Sequence, residues 1–331
     1  MTRQHGFIRM FASALAASLL PFITVHAQPA TTFPDKPIRL VVPYGPGGSP
    51  DVLARLLGQN LAIALKQPVV IDNKPGANGI IAAQFVAKAP NDGYTLLVAD
   101  TGHLAVNPAL YANLPYDPER DFTPVSLATW TPFFLVVNTS KISATTLQQL
   151  LALAKAEPGK LTYGSSGNGS PHHVTTEVFK SEAGVNIQHI PFKGVAESVP
   201  ALLGGQIDMM FVALPSVAAN IQSGKLRALA VSSEQRSSLM PSVPTVAESG
   251  LPGFALVSNI GVLAPAGTSR ERIALLNAAI VQSLKSPELA QKFPSLGMEL
   301  VGSTPADYAA MIKADKPRFQ RIVQKIGMKI D

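Results

Sequence analysis

Two stretches built from the same parts constrain this chain more than any other feature. Residues 45–51 read GPGGSPD and residues 164–173 read GSSGNGSPHH. The first follows the β-branched run IRLVVP (38–43) and the second follows KLTYGS (160–165). Each is followed by a segment whose apolar residues recur at helical spacing. Strand, glycine loop, helix is the opening of a βαβ unit, and a chain that opens such a unit twice is committed to parallel sheet covered by helices.

The rest of the chain extends both units. After the first loop come the helical DVLARLLGQNLAIALK, the strand PVVIDN, the helical ANGIIAAQFVAKA and the strand YTLLVAD. A second series starts after residue 130: PFFLVVN, a helix over 145–156, KLTYGS, helix 170–183, NIQHIP, helix 195–204, QIDMMFV, helix 215–222 and LRALAVS. From SNIGVLAP (258–265) the pattern returns to one strand and then long helices at 268–284 and 304–325, with no further βαβ series. Those last elements are expected to complete the first unit. The expected division is a leader at 1–27, one domain of 28–129 plus 258–331, and a second of 130–257, with crossings near 129–132 and 253–258 that form a hinge.

Ser is a favoured helix N-cap and Pro suits the first helical position, so Ser49–Pro50 and Ser170–Pro171 are readable as caps. Caps do not account for the glycines ahead of them, Gly45, Gly47 and Gly48 in one loop and Gly164, Gly167 and Gly169 in the other. Those glycines strip side chains from a point where a helix presents free N–H groups and the positive end of its dipole. Such a terminus binds carboxylate or phosphate, and in parallel α/β sheets it lies at the carboxyl ends of the strands.

Other chemistries fit the same residues less well. Neither loop ends in Gly-Lys-Ser/Thr or contains G-x-G-x-x-G, which removes the usual nucleotide and dinucleotide fingerprints. Ser165 and Ser166 do not sit in G-x-S-x-G, because Asn168 stands at the last glycine position. A secreted serine hydrolase using Ser166 with His172 or His173 stays open as the enzyme-class rival. His173 with Glu177 offers two metal ligands on one helix face, short of the usual three or four, so no metal and no cofactor is expected.

The N-terminus sets the compartment. Residues 1–27 carry Arg3 and Arg9 and no acid, run through the apolar MFASALAASLLPFITV and close on VHA. This is the pattern of a secretory signal peptide cut after Ala27. Its removal lowers the formal charge from +6 to +4, and the remaining Lys and Arg are scattered, so nucleic acid is not an expected partner. The absence of Cys excludes thiol catalysis, disulfides and lipid attachment through an N-terminal cysteine.

Taken together, PDKPIRLVVPYGPGGSPDVLARLLGQNLAIALKQPVVIDNKPGANG, APNDGYTLL, NPALYANLPYDPERDFTPV, YGSSGNGSPHH, FKGVAESVPALLGGQIDMMF and PTVAESGLPGF resemble the periplasmic solute-binding proteins of the tripartite tricarboxylate transporter system, the Bug receptors. The resemblance covers essentially the whole mature chain. It implies a two-domain α/β periplasmic binding protein fold of type II-like form, each domain a mainly parallel sheet flanked by helices, with the ligand cleft between them. It implies a non-catalytic receptor that hands a carboxylate to one large and one small transmembrane subunit. A sensory receptor docking on a membrane signalling protein is the alternative.

Carried over from the family, the ligand positions are Tyr44, Gly47, Gly48, Ser49 and Asp51 in the first domain and Ser165, Ser166, Asn168, Gly169, Ser170 and His173 in the second, with Thr101, His103 and Asp208 as further candidates. Family members commonly carry Thr or Ser before the aspartate of the first loop, where this chain has Pro50. For Asp51, stabilisation of a first-turn acid by the helix dipole weighs equally with a ligand role. Tyr44 and Phe192 are as readily core as ligand contacts, Lys193 is read as a solvated lysine, and Trp130, Phe133 and Phe134 as packing near the hinge.

Overall fold

The computed structural model describes residues 33–328, so the leader over 1–27 lies outside the described residues. Strands β1 (Ile38–Val42), β2 (Val69–Asn73) and β3 (Thr95–Asp100) alternate with helices α1 (Ser49–Leu65) and α2 (Ile80–Ala87), and α3 (Asn107–Leu110) follows β3. The long strand β4 (Phe122–Asn138) leads through α4 (Leu147–Ala156) to β5 (Thr162–Ser165), α5 (Pro171–Ala183), β6 (Gln188–Pro191), α6 (Val195–Leu203), β7 (Met209–Ala213), α7 (Ala218–Gln222) and β8 (Leu226–Val231). Strand β9 (Val257–Pro265) is followed by α8 (Arg270–Leu284), α9 (Pro287–Ser295), the short β10 (Glu299–Leu300) and α10 (Pro305–Ile326).

Among the described strands, parallel strand pairs occur within the two βαβ series: β1 with β2 and β3, and β5 with β6 and β7. Every pair made by β4 or β9 is antiparallel, so the sheets are mixed. The strand expected to begin after residue 130 in fact begins at Phe122. Residues 122–132 of β4 pair with β9, and residues 133–138 pair with β7 and β8. Both chain crossings therefore lie in neighbouring hydrogen-bonded strands, with Trp130 opposite Asn259 and Pro132 opposite Val257.

Core formation follows the sequence periodicity. Leu53, Leu57 and Leu61 recur every fourth residue on α1 and bury against Ile38, Leu40 and Val42 of β1. Each contributes about 1.5–3 kcal/mol through its removal from water. The terminal helix does not stay with one cluster. Tyr308 and Ile312 pack with Val41, Leu97 and Leu263, whereas Phe319 and Val323 pack with Leu135, Phe179 and Phe254. The sequence boundaries put all of 258–331 with the first unit; the second half of α10 packs instead on elements of the 130–257 segment, because its apolar stripe runs unbroken past Pro317.

Candidate functional site

The carboxyl ends of β1 and β5 open onto one cavity of ≈ 500 Å³. The β1–α1 loop supplies Tyr44, Gly48 and Ser49 to its wall, and the β5–α5 loop supplies Ser166 and Gly167, with His172 on α5. At the rim the two sides touch: Ser216 Oγ donates to Gly47 O at 3.3 Å, and a Cβ on Gly48 would lie 3.4 Å from Val195 Cγ2.

The first loop is held from behind. Gly47 has φ +96°, a left-handed conformation that a side chain would strain. Asp51 is buried and reaches back to accept from Gly47 N (3.1 Å), Asn73 Nδ2 (2.9 Å) and Arg55 Nε (3.0 Å). Burial alone pushes the Asp51 carboxyl up, but the bonds from Arg55, Asn73 and Gly47 outweigh it and hold the group below its ordinary range. Asn73 Nδ2 also donates to Tyr44 O at 2.9 Å. Asp51 is thus spent on the loop and does not line the cavity.

The capping expected at Ser49 is shifted by one residue. Gly48 is the N-cap, with no side-chain cap bond, and Ser49 is the first helical residue. The Ser49 hydroxyl, freed from capping, is buried without a partner on the cavity wall. In the second loop Ser170 caps α5 as expected, accepting from His173 N at 3.3 Å, with Pro171 next.

A stack of rings braces that second loop. His173 and His189 lie 3.9 Å apart between centroids and nearly parallel, and Tyr163 stacks on His189 at 4.8 Å. His173 Nδ1 accepts from Gly169 N at 2.9 Å, which puts its ring proton on Nε2. His189 Nε2 lies 2.7 Å from Ser165 Oγ, which also accepts from Gly167 N at 3.1 Å. Burial drives His173 down to about 3, with the charges of His189 and Lys180 adding, and drives His189 down to about 4. Both rings are neutral at pH 7. Their work is to hold the loop, so Ser165, Gly169, Ser170 and His173 sit behind the wall, and exposed Asn168 does not line it.

It is His172, the neighbour, that lines the cavity. Its Nδ1 lies 2.7 Å from Ser166 Oγ, and burial lowers it to about 4 against the opposing field of Asp100. A hydrolase would need an acid on the other ring nitrogen, and no hydrogen bond among the described residues supplies one.

The remaining candidates divide by distance from the wall. Thr101 is buried and accepts from Asn259 N at 3.0 Å. His103 is buried beneath Gly79, where a Cβ would come within 1.9 Å of its Nε2, so it packs the floor without lining it. Asp208 is a correction. It precedes β7 at the end of the strands away from the cavity, where its Oδ2 accepts from Thr162 N (2.8 Å) and Thr162 Oγ1 (2.9 Å). Gly47 lies just outside the lining residues, so Tyr44, Gly48, Ser49 and Ser166 are the expected positions that reach the wall.

Several wall residues escaped the sequence reading. Asp100, at the end of β3, accepts on Oδ1 from Gly102 N at 2.8 Å and from Tyr44 Oη at 3.4 Å, with His103 Nδ1 2.8 Å away. Burial raises the Asp100 carboxyl, yet His103, Tyr44 and Gly102 together keep it low and ionised. Burial and then Asp100 push the Tyr44 hydroxyl well above its ordinary value, so it remains a donor. The helical pattern from Ala77 would include Asn78. It instead sits in a turn with Ala77 and Asn78 both left-handed (φ 46° and 50°), and α2 starts only at Ile80. The Gly-Ala-Asn-Gly string at 76–79 was the available signal, a third glycine-bearing strand-to-helix loop. Asn78 Nδ2 donates to Asn107 Oδ1 at 2.6 Å and leaves Oδ1 without a partner.

Two strand-to-helix glycine loops facing each other over one cavity define an α/β binding protein, and the periplasmic binding protein fold is what known structures show. A structure described as that of a periplasmic transporter is 40% identical and superposes with a TM-score of 0.87, covering 90% of this chain and 100% of that one. An R. palustris protein solved with adipate is 35% identical with a TM-score of 0.87 over 90% of this chain and 100% of its own. MatC from Rhodopseudomonas palustris, with bound malate, is 31% identical with a TM-score of 0.83 over 88% of this chain and 100% of its own. Protein BugT of Bordetella pertussis (strain Tohama I) is 39% identical over 302 residues, 91% of this chain and 92% of BugT. The tripartite tricarboxylate transporter family receptor pattern matches residues 53–328, and the chain belongs to that family. It is a family of transport receptors and not of enzymes. No helix among the described residues is long and apolar enough to cross a membrane.

Proposed function

We propose that residues 28–331, exported behind a leader cut after Ala27, form a periplasmic receptor that captures a small carboxylate in this cavity and delivers it to the large and small transmembrane subunits of a tripartite tricarboxylate-type transporter. The observation that carries the reading is Ser49, a buried hydroxyl without a partner, at the N-terminus of a 17-residue helix and on the wall of a cavity closed from the other side by a second glycine loop. A carboxylate there takes the hydroxyl proton, the free backbone N–H groups and the positive end of the helix dipole. Adipate and malate in related structures support the ligand class. The receptor works as a monomer without cofactor, and its two lobes, 28–129 plus 258–331 and 130–257, close about the paired crossings in β4 and β9. A ligand that touches both walls binds the closed state better and so favours closure.

A thermal-shift screen against mono-, di- and tricarboxylic acids, each with its neutral amide, tests this. Binding at 100 times Kd adds ~2.7 kcal/mol and raises Tm by a few degrees. A rise with an acid and none with its amide is expected. Equal rises with acid and amide would remove the anion-cradle reading.

A further inference from the structure

The chemistry of the wall away from Ser49 narrows the ligand class. We propose that the cavity selects a monocarboxylic acid with an apolar, ring-sized body that carries a hydrogen-bond donor, a hydroxyl or amino group, away from its carboxylate, and that it discriminates against di- and tricarboxylates. This rests on the carboxylate reading above and goes beyond it.

Three observations on the wall point the same way. Five positions are prolines, Pro43, Pro46, Pro50, Pro75 and Pro171. A proline has neither a backbone N–H nor a polar side chain, so none of these positions can donate to a second anionic group. Pro50 removes one of the N–H groups that the first turn of α1 would otherwise present, so the terminus that holds one carboxylate has fewer donors left over. Phe133 and Phe192 add aromatic surface from the β4 and β6 sides, and the Phe133 ring packs at 4.9 Å from that of His172. An apolar body gains by covering these surfaces, and a ring gains further by stacking.

Charge on the wall is the second observation. Asp100 is 3% exposed and ionised, and it lines the cavity. The wall's cation is Lys193, which is exposed, and Glu197 one turn further along α6 opposes it. Among the described residues no arginine lines the cavity. A second carboxylate thus enters a space with a buried like charge and no buried counter-charge, which disfavours it.

The third observation is a surplus of acceptors. Asn78 Oδ1 has no partner, and the hydrogen bonds to Asp100 all fall on Oδ1, leaving Oδ2 unused. A ligand hydroxyl or amine satisfies such acceptors, and a carboxylate cannot.

Titration calorimetry on the mature chain, residues 28–331, compares probes that share a ring and differ in one group: benzoate, the three hydroxybenzoates, 4-hydroxyphenylacetate, terephthalate and 4-hydroxybenzamide, with adipate and malate alongside. At least one hydroxylated ring monocarboxylate is expected to bind tenfold or more tighter than terephthalate, adipate and malate, a ratio equal to about 1.4 kcal/mol. Asp100→Asn, which keeps an acceptor for Gly102 N and removes the charge, is expected to narrow the terephthalate gap at least fivefold. If that variant does not fold, the wild-type ratio decides alone. Terephthalate, adipate or malate binding as tightly as every ring monocarboxylate overturns the selectivity while leaving the carboxylate receptor standing, and so does silence of all the ring monocarboxylates. A 4-hydroxybenzamide that matches 4-hydroxybenzoate overturns the carboxylate reading itself.

Discussion

Mild acid should weaken this protein through its buried histidines. His172 is held at about 4, His173 at about 3 and His189 at about 4, against an ordinary 6.5. Each folded value is depressed, so between pH 6.5 and 4 the unfolded chain binds more protons than the native one and stability falls as pH falls. Taking the unfolded ring from pH 7 to pH 5 lowers its free energy by ~1.9 kcal/mol, while the native ring takes up almost nothing. His172 and His173 together give a loss of up to ~4 kcal/mol, and His189, which is only partly buried, adds less because solvent screens it. Urea unfolding at a series of pH values, followed by fluorescence of Trp130, the chain's single tryptophan, measures this. His189→Gln, which removes one titrating ring, should flatten the pH 7 to pH 5 change by less than a third. A change below ~1 kcal/mol in the wild type, or an unaltered slope in His189→Gln, would refute burial of neutral rings as the device that braces the 164–170 loop.

Two further outcomes separate holding the first loop from holding the ligand. Asp51→Ala strips the acceptor from Gly47 N and Asn73 Nδ2 and should cost ~3 kcal/mol, seen as a Tm several degrees lower, whereas water replaces the bond to half-exposed Arg55 at little cost. A Tm within a degree of wild type would show that the loop does not depend on that carboxylate. Ser49→Ala removes a hydroxyl that has no partner in the free protein, so Tm should hold or rise by a few degrees, while Kd for a bound carboxylate, read by calorimetry, rises by roughly 10-fold or more. An unchanged Kd would move the carboxylate away from α1.

The alternation of apolar runs and glycine loops made the two βαβ series and the fold class readable, because strand and helix periods are local properties of a few residues. What stayed hidden was pairing. Nothing local in FTPVSLATWTPFFLVVN states that one strand serves β9 with its first part and β7 and β8 with its second, since both parts are apolar and β-branched alike. Site residues were legible to the same depth. Both glycine loops border the cavity, but which side of a loop faces it depends on partners far away in sequence. Asp51 turns from the wall because Asn73 and Arg55 meet it, and His173 turns from it because His189 stacks on it, leaving His172 inside. Asp100 carried no motif at all. A strand-terminal aspartate becomes a wall residue only when β9 on one side and the β1–α1 loop on the other enclose it.

The two loops share their residue types and differ in one step of register, and that step decides what each can do. Ser170 is consumed in capping α5, with His173, His189 and Ser165 satisfying the backbone around it, so the second loop enters binding already rigid. Gly48 takes the cap position on α1, which pushes Ser49 into the helix with its hydroxyl unspent. An unsatisfied buried hydroxyl costs the free protein about 1–3 kcal/mol, and a ligand oxygen that accepts from it returns that amount on binding. In the proposed receptor the ligand's differential interaction is therefore concentrated on the first loop, and the second supplies a fixed surface, while Ser216 on the facing side already donates to Gly47 O. Moving the cap, by replacing Gly48 with a residue that can cap α1 itself, should leave Ser49 on the wall. Replacing the glycine with Ala places its Cβ in ordinary contact with Val195 Cγ2, 3.4 Å away, so Tm and Kd should both hold.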